Sequence, residues 1–185
     1  MNLKLNAASL RDVDPAQFIE EIEQYKRSTK SGIYIVLDSV LDTYNIGSIF
    51  RLADAVGANE VIMCGGSVTP PNHRIKKASI NTTEWVNWRY FEDATTAIKK
   101  LKSEVKNIQV VAVEQNDKSI PYDMFTYEKP LCLVVGHETD GVSKEVLDLC
   151  DGIVELPMFG VNISLNVMVS LGIVLYCVLS DTGSA

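Results

Sequence analysis

A chain of 185 residues, 46% hydrophobic and 22% charged, is sized and composed for one globular domain, which excludes disorder along the whole length. Seventeen Lys and Arg against 24 Asp and Glu give a net charge of −7, which excludes coating nucleic acid by bulk charge but leaves room for a local basic patch. Cys64, Cys132, Cys150 and Cys177 form no C-x-x-C pair, and His73 and His137 are the only histidines; this excludes a zinc site and reads as buried, reduced thiols of a cytoplasmic protein.

The first expected element is a helix opened by Asp14, with Pro15 in its first turn, Gln17 completing a capping box, and Phe18, Ile19, Ile22 and Tyr25 on one face. Ser28 to Gly32 reads as a linker, so residues 1–32 form a helical extension ahead of a domain over 33–185. From there strands and helices alternate. Ile33 to Leu37 is an apolar strand, Ile46 to Val56 a helix stopped by Gly57, and Val61 to Met63 a second strand. Trp85 to Trp88 reads as a short strand, Ala94 to Val105 as a helix, and Ile108 to Val113 and Leu131 to Val135 as strands. Ser143 opens a helix over Lys144 to Leu149, Ile153 to Leu156 is the last strand, and Leu165 to Leu179 the last helix. Fully apolar strands between helices predict an α/β fold, a mainly parallel sheet covered on both faces.

Leu156 to Ser180 carries no charge, but Pro157, Gly160, Asn162, Ser164 and Asn166 fill its first half. The apolar remainder, Val167 to Leu179, is too short to span a bilayer and suits a buried or interfacial helix.

Ligands of open parallel sheets bind beyond the carboxyl ends of the strands. Three polar loops fall there: Asp38 to Asn45, Gly136 to Gly141, and Pro157 to Asn166. Neither G-x-G-x-x-G nor a Walker A loop is present, and Cys64-Gly65-Gly66 reads as an ordinary turn. Locally, Asn45 reads as a helix N-cap and Arg51, off the apolar face of its helix, as a solvated side chain. Ser164 or Asn162 can cap the last helix, whereas Asn166 on its first turn needs a polar partner in a neighbouring loop or a ligand.

Taken in order, Asn45-x-Gly47-x-x-x-Arg51, Gly136-x-Glu138-x-x-Gly141, and Leu156-Pro157-Met158-x-Gly160 with Ser164-Leu165-Asn166-Val167 resemble the three motifs of the SpoU (TrmH-like) RNA ribose 2′-O-methyltransferases of the SPOUT superfamily. The resemblance covers about Ile33 to Leu179, so 33–185 is identified as a SPOUT methyltransferase domain. It implies a C-terminal trefoil knot over roughly 131–179, an exception to the usual rule against threading. It also implies S-adenosyl-L-methionine as cofactor, RNA as substrate (tRNA ahead of rRNA), and a homodimer packed through the last helix, with no metal and no membrane.

Carried over motif by motif, the resemblance implies cofactor contacts at Gly136, Leu156, Met158 and Leu165, a catalytic Arg51, and supporting polar residues Asn45, Glu138, Ser164 and Asn166. A guanidinium is a permanent cation, so Arg51 is read as orienting phosphate and ribose and stabilising the developing alkoxide beside the cofactor pocket. His137 and Thr139-Asp140 stand where the family often has Asn and small residues. All 17 basic residues lie at or before Lys144. Arg74, Lys76 and Lys77, in a Pro-flanked loop, are the expected RNA contacts; Lys99, Lys100 and Lys102 read as a solvated helix face. The alternatives are a non-catalytic SPOUT-like dimer that binds RNA or protein, and a Rossmann-type small-molecule enzyme.

Overall fold

In the computed structural model, which describes residues 31–181, the apolar run at Ile33 becomes a central strand of a parallel sheet. The helix expected over Asp14 to Tyr25 lies outside the described residues. The elements are β1 (Ile33–Asp38), α1 (Thr43–Ala55), β2 (Glu60–Cys64), α2 (His73–Ser79), β3 (Trp88–Phe91), α3 (Ala94–Glu104), β4 (Gln109–Val113), β5 (Ile120–Pro121), β6 (Leu131–Gly136), α4 (Lys144–Leu147), β7 (Gly152–Glu155) and α5 (Val167–Asp181). The strand order is β3-β2-β1-β6-β4-β7-β5, and every pairing is parallel.

The continuous apolar strands follow from burial on both faces. Ile33, Ile35 and Leu37 pack with Ile46 and Phe50 of α1 and with Leu171, Val174, Leu175 and Val178 of α5. Val36, Ile62 and Val134 pack on the opposite face with Ala97, Ile98 and Leu101 of α3 and Val146 of α4. Each such aliphatic side chain contributes about 1.5–3 kcal/mol of burial. The chain moves from β1 outward to β3, then crosses to the other side of β1, so a topological switch point lies between β1 and β6. There Asp38 and Gly136 are register partners at the two carboxyl ends. This order is compatible with the knot that the resemblance implies.

Several expectations shift. α1 begins at Thr43 because Asp42, not Asn45, is its N-cap, accepting the Tyr44 N–H at 2.8 Å. The third strand is Trp88–Phe91 rather than 85–88, because Trp85 is pinned to α1: its indole N–H donates to Asp54 at 2.7 Å. His73–Ser79 is a helix rather than a loop, because the Asn72 carboxamide accepts the Arg74 and Ile75 N–H groups. α4 ends at Leu147, and Ser143 at its N-cap makes no capping bond. α5 starts at Val167, after Asn166 has accepted the Met168 N–H at 3.0 Å. The two-residue edge strand β5 was not expected, and Cys150 and Cys177 are half-buried, whereas Cys64 and Cys132 are buried.

α2 lies hard against α1 at Gly47, where an added Cβ would come within 2.6 Å of the Ala78 Cβ and 2.8 Å of the Ile75 carbonyl oxygen. The motif glycine is thus explained by close helix approach. Helix α5 has 15 residues, and among the described residues no helix is long and apolar enough to cross a membrane. Opposite its buried face it carries Val169, Ile173 and Tyr176, which are exposed at helical spacing and form an apolar stripe.

Candidate active site

The three loops singled out in the sequence meet at the carboxyl ends of β1, β6 and β7. Glu138, two residues beyond β6, is the hub. One carboxylate oxygen accepts the Leu41 N–H at 3.1 Å; the other accepts the Asp42 N–H at 3.0 Å and the Asn45 amide N–H at 2.9 Å. The Asn45 carbonyl oxygen accepts the Asn166 amide N–H at 2.9 Å, while the Asn166 carbonyl oxygen caps α5. Asn45 and Asn166 are therefore not simple local caps. They form a clasp that ties all three motifs together.

Burial alone would raise the Glu138 carboxyl, but the donors from Asn45, Leu41 and Asp42 together outweigh it and hold it below its ordinary value of 4.5. A carboxyl depressed in the folded state contributes stability that is present above its unfolded value and is lost as pH falls through the folded one. Glu138→Gln is therefore expected to lower Tm at neutral pH, with the gap to the native protein closing as pH falls below about 4. Melting curves across that range check this.

Two further carboxylates shape the loop. Asp38 accepts both the Ser143 N–H at 2.8 Å and its hydroxyl at 2.6 Å. Glu114, at the end of β4, accepts the Val142 N–H at 2.7 Å. Neither was expected from the sequence. Glu114 was legible as an acid immediately after an apolar strand, where an open parallel sheet puts its ligands. Gly136 lies so close to the return of the loop that an added Cβ would overlap the backbone of Gly141 and Val142.

The second and third loops, with the end of β4, line an open cavity of ≈ 520 Å³, and no residue of the Asp38 to Asn45 loop is among its lining residues; the volume is within the range of small-molecule sites. Gly136, Glu138, Leu156, Met158, Ser164, Leu165 and Asn166 all line it. Its walls are apolar at Val135, Leu156 and Leu165. Its carboxylates are Glu114, Glu138, Asp140 and Glu155, and among the described residues no Lys or Arg lines it. That charge suits a cationic ligand with an aromatic base, such as a sulfonium nucleoside, and opposes a polyanionic dinucleotide. Among the described residues no group of His, Cys, Asp and Glu could hold a metal ion.

Arg51 stands apart. It is exposed on α1 and is not a lining residue of the cavity. Six residues separate it from Asn45, which on an α-helix means about 9 Å along the axis and a third of a turn around it. Asn45 turns inward to the clasp, whereas Arg51 is exposed. Arg74, Lys76 and Lys77 are exposed on α2.

The SpoU rRNA Methylase family model matches residues 32–176. The tRNA (guanosine(18)-2′-O)-methyltransferase of Aquifex aeolicus is 31% identical over 163 residues, 85% of this chain and 74% of that protein. The Escherichia coli K12 protein of the same name is 27% identical over 167 residues, 89% of this chain and 69% of that protein. The crystal structure of the A. aeolicus TrmH/SpoU tRNA modifying enzyme aligns with a TM-score of 0.74 at 25% identity, covering 87% of this chain and 82% of its own. The AdoMet-bound rRNA methyltransferase of Sinorhizobium meliloti aligns with a TM-score of 0.75 at 26% identity, covering 95% of this chain and 61% of its own.

Proposed function

Because the chain belongs to the SpoU methylase family, we propose that it transfers the methyl group of S-adenosyl-L-methionine to a ribose 2′-hydroxyl of RNA. The observation that carries this reading is the Asn45–Glu138–Asn166 clasp at the mouth of an acidic, apolar-walled cavity. Transfer RNA is the first substrate to try, since the 31% identical relative is named for tRNA; ribosomal RNA is the second. The RNA and the reduced thiols favour the cytoplasm.

The cofactor supplies an electrophilic methyl group on a sulfonium. Gly136, Leu156, Met158 and Leu165 are the residues proposed to hold it, largely through backbone groups and apolar contact. Glu138, Asn45 and Asn166 keep the cavity walls in register, and Ser164 supplies a polar group at its rim. Arg51 orients the RNA phosphate and ribose and stabilises the oxygen as it loses its proton. Arg74, Lys76 and Lys77 on α2 contact RNA phosphates and account for RNA binding by an acidic chain.

The Val169, Ile173 and Tyr176 stripe is proposed to pair two copies into a homodimer. α1 packs on α5, with Leu52 3.5 Å from the position of a Gly172 Cβ. We set Arg51 of one copy at the cavity mouth of the other. Ile173→Glu is expected to convert a micromolar dimer into a monomer and to abolish methylation; light scattering and a methylation assay check both. Calorimetry tests the cofactor: S-adenosylmethionine is expected to bind and NAD and FMN are not. The reverse result would favour the Rossmann-type alternative.

A further inference from the structure

His137 follows Gly136 and lines the cavity, and its Nδ1 is engaged by its own turn. It accepts two backbone N–H groups of its own turn, from Thr139 at 3.1 Å and from Asp140 at 3.2 Å. The backbone of the turn is closed separately by the His137–Gly141 pair, with bonds of 3.0 and 2.9 Å. An imidazole nitrogen that accepts cannot carry the proton, so the neutral ring holds its hydrogen on Nε2. The ring then has no free lone pair with which to take the ribose proton. What it offers is a donor.

We propose that His137 is a positioning residue for the cofactor: its Nδ1 holds the 137–140 turn in shape, and its Nε2–H donates to an acceptor atom of S-adenosylmethionine. This rests on the reading of the cavity as the cofactor site. Among the described residues the charged groups beside the ring are acidic: Asp140 has a carboxylate oxygen 3.5 Å from Nδ1, and Glu138, Glu114 and Glu155 line the same cavity.

The experiment is calorimetric titration of the full chain with S-adenosylmethionine at pH 8, on the native protein, His137→Asn and His137→Ala. An asparagine oxygen accepts the same N–H groups two and three residues on. At pH 8, His137→Ala is expected to bind at least about tenfold more weakly, and His137→Asn to recover to within about threefold of native. Nitrogen-15 NMR of the native ring is expected to show the Nε2–H tautomer. Native affinity in His137→Ala, His137→Asn as weak as His137→Ala, or an Nδ1–H tautomer each overturns the proposal. A native protein that binds no S-adenosylmethionine at pH 8 overturns the cofactor reading itself, and this proposal with it.

Discussion

Arg51→Ala is expected to cut methyl transfer at least about a hundredfold, roughly 2.7 kcal/mol of transition-state stabilisation. The side chain is exposed on α1 and is not a lining residue of the cavity. Its loss therefore leaves the cofactor site intact, and a surface substitution off the core costs only about 0.5 kcal/mol of stability. The variant is expected to bind S-adenosylmethionine normally and melt normally while failing to methylate. Arg51→Lys is expected to recover little, because an ammonium does not reproduce the planar two-pronged fork that grips a phosphate. Single-turnover kinetics with RNA, beside calorimetry and melting of the same variants, check all three. A normal rate in Arg51→Ala would return the residue to a solvated helix position.

Gly136→Ala is the counterpart, expected to act on transfer through cofactor binding. The added methyl overlaps the backbone of Gly141 and Val142, and backbone cannot step aside as a flexible side chain can. The turn that brings Glu138 to Asn45 and Val142 to Glu114 must open. Affinity for S-adenosylmethionine is expected to fall more than about tenfold, at least 1.4 kcal/mol, with a lower Tm. If pairing through α5 sets Arg51 of one copy at the cavity of the other, mixing Arg51→Ala with Gly136→Ala protein is expected to restore part of the activity that each lacks alone. Wild-type affinity in Gly136→Ala would move the cofactor site elsewhere.

The alternation of apolar strands with helices was enough to read the α/β class and the buried parallel sheet, because burial on both faces leaves a strand no polar positions. Boundaries slipped where tertiary partners outbid local signals. Asp42 and Asn45 are equally good caps by residue type; Glu138, 93 residues away, recruits the side chain of Asn45 and leaves the cap to Asp42. Trp85 looks like strand until Asp54 takes its indole N–H. The basic run after Pro71 looks like loop because Asn72, its cap, sits beside turn-forming prolines. β5 is too short for any periodicity to register. Asn166 was legible as a polar group needing a partner, and Asn45 is that partner. The joint role of the motifs came from resemblance, since no local pattern connects residues so far apart in the chain. Arg51 shows the limit of local reading: its position alone reads as a solvated helix residue, and only the motif singles it out.

The most direct test incubates the purified protein with S-adenosylmethionine carrying a labelled methyl group and with tRNA, then separately with rRNA, and identifies the labelled nucleosides by mass spectrometry after digestion. The account predicts label on a ribose 2′-oxygen in one of the two RNAs, and none when Gly136→Ala protein is used. Label on a base, or no transfer to either RNA by a protein that binds the cofactor, would contradict it.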